Sequence, residues 1–187
     1  MESTVNVDYV SAATTSAVTV SASVLSTITC STDQTSTAFG TLTSSAVSTS
    51  TPNASTSISC ANEALGCSLY IKDAGGGSNP GLWNSTSSKR IASVTSTLVA
   101  GTEGYGINAT STASGSGAAL GFSSRYILRE DVSTSTVGGL ALSNITVAST
   151  TATTSAREVV VRHKAAISAN TAAGTYNDTL TYECTAN

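Results

Sequence analysis

A chain of 187 residues, 40% hydrophobic, 10% charged and 5% aromatic, is long enough for one domain with an extension. Its net charge of -3 is too small to drive disorder, and its 8 Lys plus Arg, scattered singly or in pairs, leave no basic footprint for nucleic acid or anionic lipid. No run approaches the ~18 consecutive apolar residues of a membrane span, and Met1-Glu2-Ser3-Thr4 lacks the charged and apolar regions of a signal peptide, as expected of a mature or trimmed form.

Ser and Thr make up roughly a third of the chain and interleave with Val, Ile, Ala and Leu, a strand-like texture. Branching at Cβ suits a pleated sheet, while Lys, Glu, Gln and Arg are too scarce to build the polar faces of long helices. The expected fold class is all-β. Thr4 to Val10 alternates, with Val5, Val7 and Tyr9 on one side and Thr4, Asn6 and Asp8 on the other, and Ser11 to Ser16 reads as a linker. Val18, Val20, Ala22 and Val24 resume the alternation, a break is expected near Val24-Leu25, and Ile28 to Cys30 close the strand. Phe39 to Leu42 is a short strand, and Ser44 to Pro52 a loop.

Ser55 to Cys60 and Cys67 to Lys72 are expected to form a hairpin, and the Gly-rich run Asp73 to Gly81 a loop, followed by Leu82-Trp83. Arg90 to Val99 and Tyr105 to Thr110 flank Ala-Gly-Thr-Glu-Gly as a second hairpin-like unit. Ser111 to Gly121 is small and flexible, Arg125 to Leu128 a short strand and Asp131 to Gly139 a loop. Arg157 to Ile167 is the strongest strand, expected to pair with Tyr176 to Thr185 through a turn at Asn170 to Gly174. No fixed repeat emerges, and short strands separated by frequent turns point to an Ig-like or jelly-roll β-sandwich over residues 17–187, preceded by an N-terminal strand and linker over residues 1–16.

The four cysteines contain no C-x-x-C spacing and sit at strand ends and turns, so disulfides fit better than a metal site. Of the three possible pairings, Cys60 with Cys67 across a hairpin and Cys30 with Cys184 between early and late strands are expected. Disulfides imply an oxidising compartment, hence secretion to the extracellular space or cell surface.

The closing run Ala173-Gly174-Thr175-Tyr176-Asn177-Asp178-Thr179-Leu180-Thr181-Tyr182 resembles the last strand of secreted bacterial pilin-like and coat-like β-sandwich proteins. Ser59 to Asp73, with Cys60 and Cys67 around Ala-Asn-Glu-Ala-Leu-Gly, resembles a hairpin of bacterial surface proteins of the same sort. The resemblance implies an extracellular, noncatalytic subunit of a pilus, filament or coat. The two disulfides and the Gly-rich loop depart from it.

An alternating N-terminal segment followed by a linker is what strand donation requires. The arm adds to a neighbour's open sheet edge, with Val5, Val7 and Tyr9 as plugs, and head-to-tail repetition of that contact gives an open filament of copies of the chain. The same segment also fits the first strand of its own sandwich.

The other features point away from chemistry. His163 shares the core face of its strand with Val159, Val161, Ala165 and Ile167, while Glu158, Arg162 and Lys164 face the other way. No G-x-S-x-G occurs, and Glu103, Glu130 and Asp131 are the carboxylates available for a glycosidase pair, with nothing in the sequence setting them across a groove. Asp73 and Asn79 bracket the Gly-rich loop without the spacing of a calcium loop. Trp83 is a core filler or, in the alternative reading of a monomeric carbohydrate-binding or adhesive module, a flat contact for host-surface or matrix glycans. The reading is a structural, non-enzymatic protein without metal or cofactor.

Overall fold

The structure, a computed structural model, describes residues 1–5, 16–126 and 134–187. The described residues form β-strands and no helix: β1 (Thr27–Thr32), β2 (Ser48–Thr49), β3 (Ala54–Ala61), β4 (Cys67–Asp73), β5 (Gly81–Asn84), β6 (Lys89–Ala92) and β7 (Ser96–Thr97), then β8 (Gly104–Ser111), β9 (Ser116–Gly117), β10 (Gly121–Phe122), β11 (Thr136–Val137), β12 (Ile145–Ser149), β13 (Thr154–Ala166) and β14 (Leu180–Ala186). All strand pairs are antiparallel, and the arrangement is that of a β-sandwich. One sheet is built on the long β13, which pairs with β3 and β2 along one edge and with β8 and β9 along the other, while β1 extends the sheet beyond β3. The second sheet runs β10-β12-β4-β14.

Period-two alternation places the core between the sheets. β3 buries Ala54, Thr56, Ile58 and Cys60 while the residues between them stay half-buried, and β4 turns Cys67, Leu69 and Ile71 inward. Tyr105, Ile107 and Ala109 of β8 meet Val159, Val161 and Ala165 of β13 in the same cluster, joined by Val147 of β12. As expected from the sequence, His163 lies on this buried face. Lys164 does not reach solvent from the opposite face, because β7 and β11 add a small outer layer there, with Leu98, Val137 and Ala166 buried in it.

Several expected pairings are corrected. Ser55 to Cys60 and Cys67 to Lys72 are not a hairpin: β3 belongs to the first sheet and β4 to the second, so the connection turns a corner between sheets. β13 and β14 are divided in the same way, β14 pairing with β4 in place of β13. Arg90 to Val99 is split between β6, which pairs with β5, and β7, which pairs with β11. Turn chemistry reports that the chain reverses; it does not say on which sheet the next strand lands. Phe39 to Leu42 is not a strand, and only Ala38 is bridged, to Thr51. The expected loops at Ser44 to Pro52, Ser111 to Gly121 and Asp131 to Gly139 contain the short strands β2, β9 and β11. Arg125 and Tyr126 lie in a turn, and Leu128 falls outside the described residues.

Gly66, in the corner between β3 and β4, has φ +77°, and a Cβ there would run into the backbone carbonyl of Thr150. Gly40 has a similar φ of +66° with open space around it. Gly66→Ala should therefore destabilise by about 2–4 kcal/mol, summing left-handed strain and overpacking, against about 1 kcal/mol for Gly40→Ala. Urea unfolding of both variants checks this; equal losses would show that the Thr150 backbone yields freely.

Candidate functional site

The two cysteine pairs lie at disulfide distance, Cys30 with Cys184 (Cα atoms 5.8 Å apart) and Cys60 with Cys67 (6.1 Å). These are the expected partners, but Cys60 and Cys67 bridge the corner between sheets, not the two strands of a hairpin. Cys30 and Cys184 join β1 to β14, each the edge strand of its own sheet.

Beyond that link the edges part. β1 ends at Thr32, paired with Thr56, so Ala54 of β3 has no β1 partner, and β14 begins only at Leu180. The chain on either side, residues 34–42 and 171–179, forms the walls of a groove of about 1270 Å³ whose floor reaches the buried core between the sheets. Its floor includes Ala54, Leu82, Ile91 and Ile167, and Phe39 packs edge-on against the Tyr105 ring. A drug-sized pocket has ~300–1,000 Å³, so the space suits a length of chain. Among the described residues lining it there is no Lys or Arg, and Asp178 is the sole carboxylate.

The 171–179 wall is held by β5. Trp83 N donates to Asn177 O (2.8 Å), Asn177 N donates back to Trp83 O (2.9 Å), and the buried Asn84 donates from Nδ2 to Ala173 O (3.3 Å). The Trp83 indole is half-buried with Gly76 and Gly77 packed against it so closely that neither position has room for a Cβ. The Gly-rich loop thus folds over Trp83, organised by Asp73, whose Oδ1 and Oδ2 accept from Gly75 N (2.6 Å) and Gly81 N (2.8 Å).

Tyr105, His163 and Asp178 line the groove with Asp73 behind Asp178, because their strands place them where the alternation puts core residues. Asp73 follows Leu69 and Ile71 on the inner face of β4, His163 follows Val159 and Val161 on β13, Tyr105 precedes Ile107 on β8, and Asp178 precedes Leu180 and Tyr182 on the approach to β14. The Tyr105 hydroxyl lies 3.1 Å from His163 Nδ1, with the two rings stacked at 12°. Asp178 Oδ1 accepts from Thr179 N (2.7 Å), whereas Oδ2 is buried without a hydrogen bond, with the Asp73 carboxylate and the Tyr105 hydroxyl beside it. Partial burial, then the negative charge of Asp73, push the Asp178 carboxyl up to about 7. Burial pushes His163 down to about 4, so its imidazole is neutral at pH 7, and burial likewise raises Tyr105 and Tyr182.

Of the proposed donor residues, Val5 is exposed and Val7 and Tyr9 lie outside the described residues. The second alternating segment is fully visible. Val18, Val20 and Val24 are 83%, 88% and 76% exposed and belong to no strand, although the sequence reads as one. Among the described residues their alternation finds no partner strand.

Glu103 accepts a hydrogen bond from Thr171, and Glu130 and Asp131 lie outside the described residues. Among the described residues no three His, Cys, Asp or Glu side chains gather as metal ligands, and no helix is long and apolar enough to cross a membrane. Sequence reasoning located His163 and missed the groove and its Asp73–Asp178–Tyr105 partners, which carry no local signature. No family model, curated protein or solved structure matches the chain.

Proposed function

We propose that this protein is a structural subunit of an extracellular filament, pilus or surface coat, of the pilin-like kind, that assembles head to tail by donating its N-terminal segment to the open groove of the next copy. The observation that carries this reading is the coexistence, in one chain, of a long groove beside the parted sheet edges and an exposed, alternating apolar segment that belongs to no strand among the described residues. The two are matched in charge: residues 16–26 carry none, and the groove lining has no cation.

The segment enters β1 at Thr27, opposite Ala61, while the groove opens past Thr32 at the other end of that strand, roughly 17 Å away at the rise of a strand. A contact from one end of the molecule to the other end of the next is heterologous, and where its rotation does not close it builds a filament. Val18, Val20, Ala22 and Val24 provide one set of plugs, and Val5, Val7 and Tyr9 carry the same pattern. Cysteine pairs at disulfide distance support an oxidising, extracellular setting.

Electron microscopy of the native, unboiled full chain is expected to show regular filaments. Removal of residues 1–25, which leaves β1 and Cys30 in place, should give a folded monomer with no filaments. Val18→Asp/Val20→Asp/Val24→Asp compared with Val5→Asp/Val7→Asp/Tyr9→Asp identifies which plugs insert. Discrete particles from the full chain, or filaments of unchanged length after truncation, would overturn the proposal.

A further inference from the structure

We infer that the acidic pair Asp73–Asp178, backed by Tyr105 and His163, makes occupation of the groove by a strand proton-linked, so that docking takes up a proton and weakens as the solution becomes alkaline. The inference rests on the strand-accepting reading of the groove. Asp178 is the sole carboxylate among the described lining residues, its Oδ2 is buried without a hydrogen bond, and Asp73 stands behind it with both oxygens already engaged by Gly75 N and Gly81 N. Asp73 can therefore supply negative charge but little room for rearrangement.

The groups facing Asp178 leave it without a cation. Asp73 comes from β4, Tyr105 from β8, His163 from β13 and Tyr182 from β14. Residues 34–42 are uncharged, and Leu82 and Ile91 are the lining residues from β5 and β6. Arg90 is directed to Gly76 O (3.5 Å), and Glu103 holds Thr171. His163 stays neutral near pH 7 and Tyr105 stays protonated, so Asp178 is the group of this cluster that titrates there.

A strand laid in the groove removes the remaining water from Asp178, and loss of water favours the neutral acid. The carboxyl sits near 7 in the open groove and rises when the groove is filled. Affinity is then greatest below about pH 6, falls to about half at pH 7, and drops ever more steeply above it, approaching tenfold per pH unit beyond pH 8 until the filled-groove carboxyl also ionises.

The test is binding of an N-acetylated synthetic peptide of residues 1–26 to the immobilised full chain at pH 6, 7, 8 and 9, with Asp178→Asn alongside. A fall of about fivefold between pH 7 and 8, steepening toward tenfold between pH 8 and 9, in the parent and absent in Asp178→Asn, is the expected result. Equal affinity at all four values, or a slope that survives in Asp178→Asn, overturns the proton linkage and leaves the strand-accepting groove standing. No saturable binding even at pH 6 overturns the groove reading and the linkage with it.

Discussion

Replacing Cys30 and Cys184 by Ser should cost about 4–5 kcal/mol of unfolding free energy, a large share of the ~5–15 kcal/mol that holds a domain together. The pair closes a loop of 154 residues, whereas Cys60 and Cys67 are 7 apart, and loop-closure entropy rises with the logarithm of length, so Cys60→Ser/Cys67→Ser should cost about 2 kcal/mol. Location adds to length. Cys30 and Cys184 tie the edge strand of one sheet to that of the other immediately before those edges part, so their link bounds the groove as well as stabilising the chain. Urea unfolding of the two double variants checks the order. A larger loss from the Cys60 pair, or four free thiols in a comparison of reduced and nonreduced mass, would overturn this account and remove the argument for an oxidising compartment.

The second large effect is a pH profile. His163 is pushed down from 6.5 to about 4 by burial, so its contribution to stability is complete above 6.5 and lost as pH falls through the range to 4. Asp178 is pushed up from 3.8 to about 7, so its contribution is complete below 3.8 and lost as pH rises toward 7. Over pH 4 to 6.5 the two slopes have opposite sign and largely offset each other, and the parent should show little dependence on pH from this site.

Asp178→Asn removes one of the pair. Its stability should rise relative to the parent by about 2 kcal/mol between pH 4 and 7, a figure reduced from the full shift because the Asp178 carboxyl is partly exposed and screened by solvent. The variant alone should then weaken on acidification through His163, by up to about 3 kcal/mol between pH 6.5 and 4. Taking the difference between variant and parent removes the titration of the other carboxylates. A difference that stays constant from pH 4.5 to 7 would mean that Asp178 titrates as an ordinary surface acid and that the cluster exerts no control over its proton.

The fold class was legible because side-chain alternation is a local property. Ala54 to Ala61 shows period two in the sequence, and the same residues alternate between buried and partly exposed positions in the structure. The cysteine pairing followed from placing an early and a late strand side by side. Strand partnership was not legible, because the hydrogen bonds that decide it join β8 to β13 and β4 to β14, which are far apart in the chain, while short turns suggested neighbours that do not pair. Alternation also misled at Val18 to Val24, since it records that a segment is suited to a sheet and not that its own chain supplies the partner.

The groove shows the same division. The sequence by itself determined an all-β chain with two cysteine pairs, an alternating N-terminal segment and a histidine on a core face, each a matter of residue type and near-neighbour spacing. Only the tertiary structure decided that Asp73, Tyr105, His163 and Asp178 meet at an open groove, because each comes from a different segment of the chain. An acid set on the inner face of a strand gains its unusual proton affinity from burial and from a second acid brought against it by folding, and neither is a property of the residues on either side of it.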